Sequence, residues 1–258
     1  SGSVGAGFEP VGVIKVQRTL QPGERCPVLF YLAQAESMAQ AQEKASSFRS
    51  LATRNSAFSA VSGFWKETLT TVQVKTPNRA LDILANGWLL YQTLACRMLA
   101  RSGFFQSSGA IGFRDQLQDS LALLYSRPEL TRKQILLHAE RQFVEGDVQH
   151  WWHPPSGRGI RTKISDNYLW LPFVTAEYLK VTGDYSILDE HVSFIEGPQL
   201  EPHQGDSYFT PQRSQQSASL YEHCLRALDR SFPVGTHGLP FIGHGDWNDG
   251  MNAVGEKG

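Results

Sequence analysis

One long apolar stretch between residues 76 and 101 constrains the fold of this chain more than any other feature. It opens TPNRALD, with a Thr that suits a helix N-cap and a Pro that suits the first helical position. Apolar side chains then recur at every third or fourth position: Leu81, Leu84, Trp88, Tyr91, Ala95 and Met98. The pattern predicts one long helix that is buried on more than one side.

The rest of the chain after this stretch alternates between helical periodicity and irregular sequence. Further helices are predicted over about 115–125, 131–141, 167–182 and 214–230. Segments rich in Gly, Pro and His separate them: 102–113, 145–163, 192–213 and 232–250. Because strand patterns are nearly absent after residue 76, this part is predicted to be all-α, with long loops of the kind that carry function.

The N-terminal part has a different character. Residues 11–32 contain two short runs of β-branched and aromatic side chains around the turn sequence QPGE. Two strands alone do not make a stable sheet, so these residues are predicted to end a larger β-domain. Ala, Gln and Glu are frequent from residue 34 to residue 52, and helical spacing continues to residue 69, which predicts a helical linker.

Composition and charge exclude several classes of protein. The 258 residues are 41% hydrophobic, which permits a sizeable core, and the net charge of −1 favours neither nucleic acid nor an acidic membrane surface. No apolar run approaches ~20 residues, so no membrane segment is predicted. The three cysteines form no CxxC pair, which favours a reducing compartment, and we predict the cytoplasm.

The first of three stretches that could carry chemistry is ARSGFFQSSGAIGFRDQLQD, which is rich in glycine. Arg114 could hold a phosphate or a sugar hydroxyl through two parallel hydrogen bonds, and Asp119 could accept hydrogen bonds from two vicinal hydroxyls. The structural alternative has equal weight: a helix begins here, and its acidic residues complement the helix dipole.

The second stretch is DVQHWWHPPSGRGIRTKISDNYLWLPF. His150 and His153 suggest a metal site, but two prolines follow at once and no third ligand is near, so no metal is predicted. Two adjacent tryptophans, with Arg158 and Arg161 nearby, suit a polar, ring-shaped ligand better. The alternative is a well-packed loop whose histidines are hydrogen-bonded.

The third stretch, GHGDWNDGMN at residues 243–252, places two carboxylates beside an indole. Trp247 breaks the alternation of ligands that a calcium loop requires. An apolar ring limits the hydration of a carboxylate and raises its pKa, so a general acid is chemically reasonable here. The alternative is an Asx-rich turn. The sequence contains no nucleophile elbow and no phosphate-binding glycine loop, which disfavours serine hydrolysis and nucleotide binding.

Four segments together resemble the inverting glycoside phosphorylases of glycoside hydrolase family 94, in particular the C-terminal region of cyclic β-1,2-glucan synthases and the 1,2-β-oligoglucan phosphorylases. They are YQTLACRMLARSGFFQSSGAIGFRDQLQD, GDVQHWWHPPSGRGIRTKISDNYLWLPF, FIEGPQLEPHQGDSYFTP and GLPFIGHGDWNDGMNAVG. The resemblance covers essentially the whole chain. It implies a mainly α fold: an incomplete (α/α)6 barrel preceded by the end of a β-sandwich domain and a helical linker.

By this resemblance the chain has three parts. Residues 1–35 are the C-terminal part of a β-sandwich domain, 36–75 are the helical linker, and 76–258 are the N-terminal part of a truncated (α/α)6 catalytic barrel. The resemblance also implies that further phosphate ligands follow later in the family's chains, and that the longer protein forms a homodimer. Half a barrel leaves apolar helix faces uncovered, so the isolated chain is expected to be poorly soluble or inactive.

The resemblance implies a glycosyltransferase of the phosphorylase type. It transfers a glucosyl unit from a β-glucoside, predicted to be a β-1,2-glucan, to inorganic phosphate, and the product is α-glucose 1-phosphate. Phosphate is a co-substrate, and no cofactor is expected. The family's site residues correspond to a general acid, Asp249, to the substrate-binding residues Arg114, Asp119 and Trp247, and to a phosphate ligand, Arg101.

Other positions and two other functions stay open. Asp115 and Asp246 are expected to orient their neighbours, and Asn167 stands where the family is expected to have an acidic residue. An inverting hydrolase on the same barrel would need a base carboxylate opposite Asp249. A non-catalytic module that binds glucan, or controls chain length in a cyclic β-1,2-glucan synthase, would bind its ligand without turnover.

Overall fold

The computed structural model describes residues 13–33, 35–100 and 109–245. The chain divides into two compact units, residues 1–60 and residues 61–258. The described part is mainly helical. None of the helices in these ranges combines the length and the apolar character needed to cross a membrane.

The first unit contains no strand within its described residues. Residues 13–33 run as an irregular chain, so the prediction of strands in 11–32 is wrong for 13–32. An extended segment becomes a strand only when a partner takes up its backbone N–H and C=O groups, and no described segment pairs with this one. Helix α1 (Met38–Ser47) begins at Ser37, whose side chain accepts a hydrogen bond from the backbone N–H of Gln40.

Helix α2 (Leu51–Thr70) begins in the first unit and ends in the second. The long apolar stretch follows it as α3 (Arg79–Ile83) and α4 (Leu89–Gln92), with wider π-helical turns at Leu84–Trp88 and Thr93–Leu99. The N-cap is Asn78 and not the predicted Thr76, because the Asn78 side chain accepts from the N–H groups of the first helical turn.

This stretch is far less buried than its periodicity predicts. Leu94 is fully buried, but most of the other large apolar side chains are 40–62% exposed: Leu81, Ile83, Leu84, Trp88, Leu89, Tyr91 and Leu99. The prediction of a helix buried on more than one side is therefore wrong for the described residues. Periodicity identifies which face is apolar, whereas burial requires a second layer to cover that face.

The four later helices are confirmed, with shifted bounds. They are α5 (Phe113–Ser120), α6 (Pro128–Ala139), α7 (Trp170–Thr182) and α8 (Leu220–Ser231). Helix α7 ends at Gly183, which adopts the left-handed conformation (φ 68°). Helix α8 begins six residues later than predicted because Ser219 caps it by accepting from the N–H of Glu222.

Strands are the main feature that periodicity missed, so the all-α prediction after residue 76 is wrong. In chain order they are β1 (Ile111–Gly112), β2 (Gln149–His153), β3 (Arg158–Thr162), β4 (His191–Glu196), β5 (Asp206–Phe209) and β6 (Gln212–Ser219). One antiparallel sheet has the order β1-β2-β3-β5, and β4 pairs with β6. Most lie in segments predicted to be loops. They are short, and β5 and β6 are mainly polar, so strand pairing identifies them better than hydrophobic alternation does.

The core lies where helices α5 to α8 meet the four-stranded sheet. Its fully or almost fully buried side chains include Phe113, Leu117, Ile135, Trp152, Leu171, Val174 and Leu220. The ring of His138 packs edge-on against Phe113 and Trp152, with centroids 5.3 and 5.2 Å apart. Burial lowers the pKa of His138 to about 4. Burial likewise lowers the pKa of His223, which stacks on Phe194, to about 4.

These two buried histidines predict that acid destabilises the protein between about pH 6.5 and pH 4. In this interval the unfolded chain takes up protons on both imidazoles, whereas the folded chain does not. Stability is therefore fully present above pH 6.5 and falls as the pH is lowered. Each histidine should reduce the free energy of unfolding by about 1.4 kcal/mol per pH unit. Urea unfolding at pH 7.5, 6.5 and 5.5 measures the effect.

Replacing one of the two histidines provides the control for this prediction. His223→Gln should remove about half of the pH dependence between 6.5 and 5.5. His237→Gln changes an exposed histidine in a turn and should leave the dependence as it is. An unfolding midpoint that is the same at pH 7.5 and 5.5 would contradict the prediction.

Candidate functional site

Arg114 lies in the first turn of α5, and only 8% of its side chain is exposed. Its Nη1 donates to both carboxylate oxygens of Asp166, at 3.3 and 3.4 Å. Asp115 is a weaker partner, since its carboxylate is half exposed and lies 3.8 Å from Arg114 Nε. Asp166, more than Asp115, therefore orients the buried guanidinium.

Asp166 had no assigned role in the sequence analysis. It immediately precedes a 3-10 turn, Asn167–Leu169, that leads into α7. Besides Arg114, its carboxylate accepts a hydrogen bond from the indole Nε1 of Trp170 at 3.2 Å. The available signal was the spacing of four residues between an aspartate and a tryptophan at a helix start, which places the two side chains on adjacent turns. These bonds connect the start of α5 to the start of α7.

Asp119 is in the same helix as Arg114 but has a different partner. The two residues are five apart, a rotation of about 140° around the helix axis. Asp119 Oδ2 lies 2.5 Å from Nε of Arg97, and both side chains are about one-third exposed. Burial raises the pKa of Asp119, and the hydrogen bond from Arg97 opposes that rise. The two predicted sugar-binding side chains therefore share a helix without bonding to each other.

Asn167 is buried and hydrogen-bonds to a histidine of strand β2. Its Nδ2 lies 2.7 Å from Nδ1 of His150, and the amide donates to that ring nitrogen. The Oδ1 of Asn167 is buried without a partner among the described residues. The resemblance implies an acidic residue at this position. A carboxylate there would place a negative charge beside His150, whereas the amide of Asn167 is neutral.

The two histidines considered as metal ligands have different partners. The pairing of β2 with β3 shifts register between Gln149 and Trp151, next to His150. His150 bonds to Asn167, and the ring of His153 packs edge-on against Trp151 with centroids 5.3 Å apart. Across the ranges that the structure describes, no group of three or more His, Cys, Asp or Glu side chains is gathered in a way that could hold a metal ion.

The predicted aromatic wall is only partly available to a ligand. Trp152 is buried in the core, whereas Trp151 packs beside Tyr208 with centroids 5.5 Å apart. Arg158 lies over the Tyr208 ring, 4.5 Å from its centroid. Arg161 is structural, because its five N–H groups all bond to protein oxygens: those of Asp147, Glu145, Gly197 and Pro198. The interpretation of Arg161 as a ligand-binding residue is therefore wrong.

A short backbone ladder joins residues 163–165 to residues 243–245. His244 donates to the carbonyl of Lys163 at 3.2 Å, and Ser165 donates to the carbonyl of Gly245 at 3.1 Å. Gly243 has φ +66°, and a Cβ atom there would stand 1.8 Å from the Lys163 carbonyl oxygen. Glycine is therefore required, and the first three residues of the third stretch are held beside residues 163–165, which directly precede Asp166.

Four residues that the sequence analysis assigned to the site lie outside the described residues: Arg101, Asp246, Trp247 and Asp249.

The described residues form a compact polar group, the Arg114 cluster, which consists of Arg114, His150, Asp166, Asn167 and Trp170. It combines a buried cation with carboxylate, amide, imidazole and indole groups held by one another. Several fixed donors and acceptors at the ends of rigid elements suit a ligand with many hydroxyl groups.

Two family models match the chain. The catalytic domain of the glycosyl hydrolase 94 superfamily matches residues 64–258. The supersandwich domain of glycosyl hydrolase 94 matches residues 1–51.

Curated proteins are similar to the chain over nearly all of its length. Cyclic beta-(1,2)-glucan synthase NdvB of Rhizobium meliloti (strain 1021) is 46% identical over 259 residues, covering 100% of this chain and 9% of the synthase. N,N'-diacetylchitobiose phosphorylase of Vibrio proteolyticus is 29% identical, covering 96% of this chain and 32% of that protein. Solabiose phosphorylase of Paenibacillus borealis is 27% identical, covering 100% of this chain and 30% of that protein. The chain thus spans less than a third of the length of each of these relatives.

The ion pair of Arg114 predicts unequal effects of two aspartate substitutions. Asp166→Asn should lower the free energy of unfolding by about 1–3 kcal/mol, because it leaves a buried guanidinium facing a neutral amide. Asp115→Asn, the matched control in the same ion pair network, should change it by less than about 0.5 kcal/mol. Urea unfolding at pH 7.5 compares them, and equal losses would refute the assignment of Asp166 as the main partner.

The tight approach of Gly243 to Lys163 predicts a local loss of structure in Gly243→Ala. The methyl group would push the two segments apart, so the amide hydrogens of Ser165 and His244 should exchange with solvent faster. Gly238→Ala is a matched control, because Gly238 has a similar φ of +72° but no atom within 4 Å of the added Cβ. If the two amide hydrogens exchange at the same rate in both variants, steric contact with Lys163 is not the reason that position 243 is a glycine.

Proposed function

The chain belongs to the glycosyl hydrolase 94 superfamily, and on that premise we propose that it carries part of the catalytic domain of an inverting glycoside phosphorylase. The proposed reaction transfers a glucosyl unit from a β-glucoside to inorganic phosphate. The product is α-glucose 1-phosphate. Relatives named as phosphorylases, which match the chain at 27–29% identity, support this type of reaction.

The proposed mechanism needs one acid and one nucleophile. Asp249 protonates the glycosidic oxygen as it leaves, and phosphate attacks the anomeric carbon from the opposite face, so the configuration inverts. An inverting hydrolase requires a second carboxylate to activate water. Phosphate is already an anion, so a single acid is sufficient. The indole of Trp247 beside the acid would raise its pKa and keep it protonated near neutral pH.

The remaining proposed roles concern binding. Arg114 and Asp119 bind the glucosyl unit, Trp247 lines the same subsite, and Arg101 binds phosphate. The support for Arg114 is its burial and its fixed orientation against Asp166. The support for Asp119 is its partly exposed carboxylate, which Arg97 holds at one end.

The observation that carries this proposal is the ladder between residues 163–165 and 243–245. It fixes Gly245 beside Ser165, and Asp166 follows Ser165 directly. Asp249 is four residues after Gly245, a separation that an extended chain spans in at most about 14 Å. The short separation supports the assignment of Asp249 and Arg114 to one site.

The substrate is proposed from one relative. The 46% identical protein is named a cyclic beta-(1,2)-glucan synthase, and we propose the same linkage for the substrate of this chain, a β-1,2-glucan or gluco-oligosaccharide.

The finer architecture is also proposed. The helices after residue 76 contribute to an (α/α)6 barrel, and the protein forms a homodimer. The three cysteines are free thiols, which supports a cytoplasmic location.

The test follows the reverse reaction in the longest natural form of the protein that contains this chain. The protein is incubated with α-glucose 1-phosphate and either sophorose or cellobiose, and phosphate release is measured. Release with sophorose should fall roughly 10²–10⁴-fold in Asp249→Asn, the loss that follows removal of a general acid. Asp229→Asn changes an exposed carboxylate of α8 and is the matched control.

Each outcome selects one function. Release with sophorose that depends on Asp249 supports a β-1,2-glucan phosphorylase, and release with cellobiose alone keeps the mechanism and changes the substrate. Glucose formation that is independent of phosphate would favour the hydrolase. Binding of glucan without any turnover, in a well-folded protein, would favour the non-catalytic module.

A further inference from the structure

A cavity of about 220 Å³ opens beside the turn between β2 and β3, next to β4 and the start of β6. Its polar lining residues are Glu140, Arg141, Ser156, Ser193 and Arg213. None of them belongs to the Arg114 cluster or has a role in the proposed reaction. The cavity is therefore separate from the site of the proposed reaction.

Arg141 is a partly buried cation, and Glu140 is the one carboxylate in the lining of the cavity. Its guanidinium lies over the ring of Trp152, 5.2 Å from the centroid. Its Nε is buried and has no hydrogen-bond partner in the ranges that the structure describes. Burial lowers the pKa of Arg141, and the charge of Glu140 opposes this only in part. Leaving a buried N–H donor unpaired is costly, so Nε of Arg141 points to an acceptor that the described residues do not supply.

The fold brings a second cation to the same cavity. Ile195 of β4 pairs with Arg213 of β6 on one side. On its other side, the N–H of Ile195 donates to the carbonyl of Gln142 at 2.9 Å, and Gln142 directly follows Arg141. The two arginines therefore flank one strand residue and line one cavity. Arg213 is exposed, and none of the described side chains forms an ion pair with it.

The remaining lining completes an anion site. Glu140 is the one carboxylate among the lining residues, so the balance of charge is positive. The hydroxyl of Ser193 adds a donor of the kind that binds oxyanions, whereas the hydroxyl of Ser156 donates to the carbonyl of His153 at 3.0 Å. Gly157 has no side chain, and a Cβ atom there would lie 3.0 Å from Nη1 of Arg141, so glycine leaves that nitrogen approachable.

We propose that this cavity binds a tetrahedral oxyanion of the phosphate class, either free phosphate or the phosphate group of a sugar phosphate, held between Arg141 and Arg213. Guanidinium groups bind such anions through parallel, charge-assisted hydrogen bonds. A tetrahedral oxyanion presents three or four oxygens to the two guanidinium groups, whereas a carboxylate presents only two. The cavity is smaller than the ~300–1,000 Å³ of sites for drug-sized molecules, so the ligand is small.

The test is calorimetric titration with inorganic phosphate, α-glucose 1-phosphate and glucose, at an ionic strength held constant with sodium chloride. Arg141→Gln and Arg213→Gln should each weaken phosphate binding roughly tenfold, the usual effect of losing a charged hydrogen bond. Arg213 is exposed, so its variant retains the fold if Arg141→Gln does not. Arg79→Gln, an exposed arginine at the start of α3, is the matched control and should bind as the wild type does.

The three titrants identify the ligand. Tighter binding of α-glucose 1-phosphate than of phosphate, with the difference lost in Arg213→Gln, supports the site with a sugar phosphate as its ligand. Equal affinities, both weakened in that variant, support it with free phosphate. The proposal is overturned if the wild type binds no phosphate at millimolar concentration. It is also overturned if wild type and Arg213→Gln bind phosphate equally, or if glucose binds in an Arg213-dependent way.

Discussion

The buried guanidinium of Arg161 is the contact on which the arrangement of the second unit depends. It joins β3 to Asp147 and Glu145 on one side and to the carbonyls of residues 197–198 on the other. A buried charge is tolerated only when its donors are paired, and here all five N–H groups are. Three segments distant in sequence therefore meet at one point. Residues 163–167 lead from this point to the Arg114 cluster. The ion pairs of Arg161 with Asp147 and Glu145 therefore help to fix the position of the cluster.

The two polar sites of the second unit differ in how their charges are balanced. In the Arg114 cluster the buried cation faces a carboxylate, and an indole orients that carboxylate in turn. Around Arg141 the cavity is lined by a second arginine, the hydroxyl of Ser193 and the carboxylate of Glu140. The charge of Arg114 is balanced within the protein, which suits a neutral, hydroxyl-rich ligand. The charges of Arg141 and Arg213 exceed that of Glu140, which is why an oxyanion is proposed there and a sugar is proposed for the first.

Sequence reasoning identified the helices well and the strands poorly. The apolar residues of helices α5 to α8 recur with a period of 3.6 residues, and this period can be recognised even in short segments. Strand β6 reads QRSQQSAS, and nothing in that sequence alternates between apolar and polar. Its hydrogen bonds to β4 make it a strand, and those depend on chain segments that come together only in the fold. The exposed side chains between Leu81 and Leu99 show the same limit. Periodicity identifies the apolar face of a helix but does not identify the segment that covers this face.

The sequence by itself determined which residue types stand at helix starts, turns and glycine-rich loops, because those choices depend on local backbone chemistry. It was enough to single out Arg114 and Asp119 as candidates and to identify the family through long contiguous motifs. The tertiary structure alone decided which charges meet: Arg114 with Asp166, Asp119 with Arg97, and Arg161 with Asp147. Ion pairs join residues 14 to 52 positions apart. Local preference carries no information across such distances, so only the folded chain selects the partners.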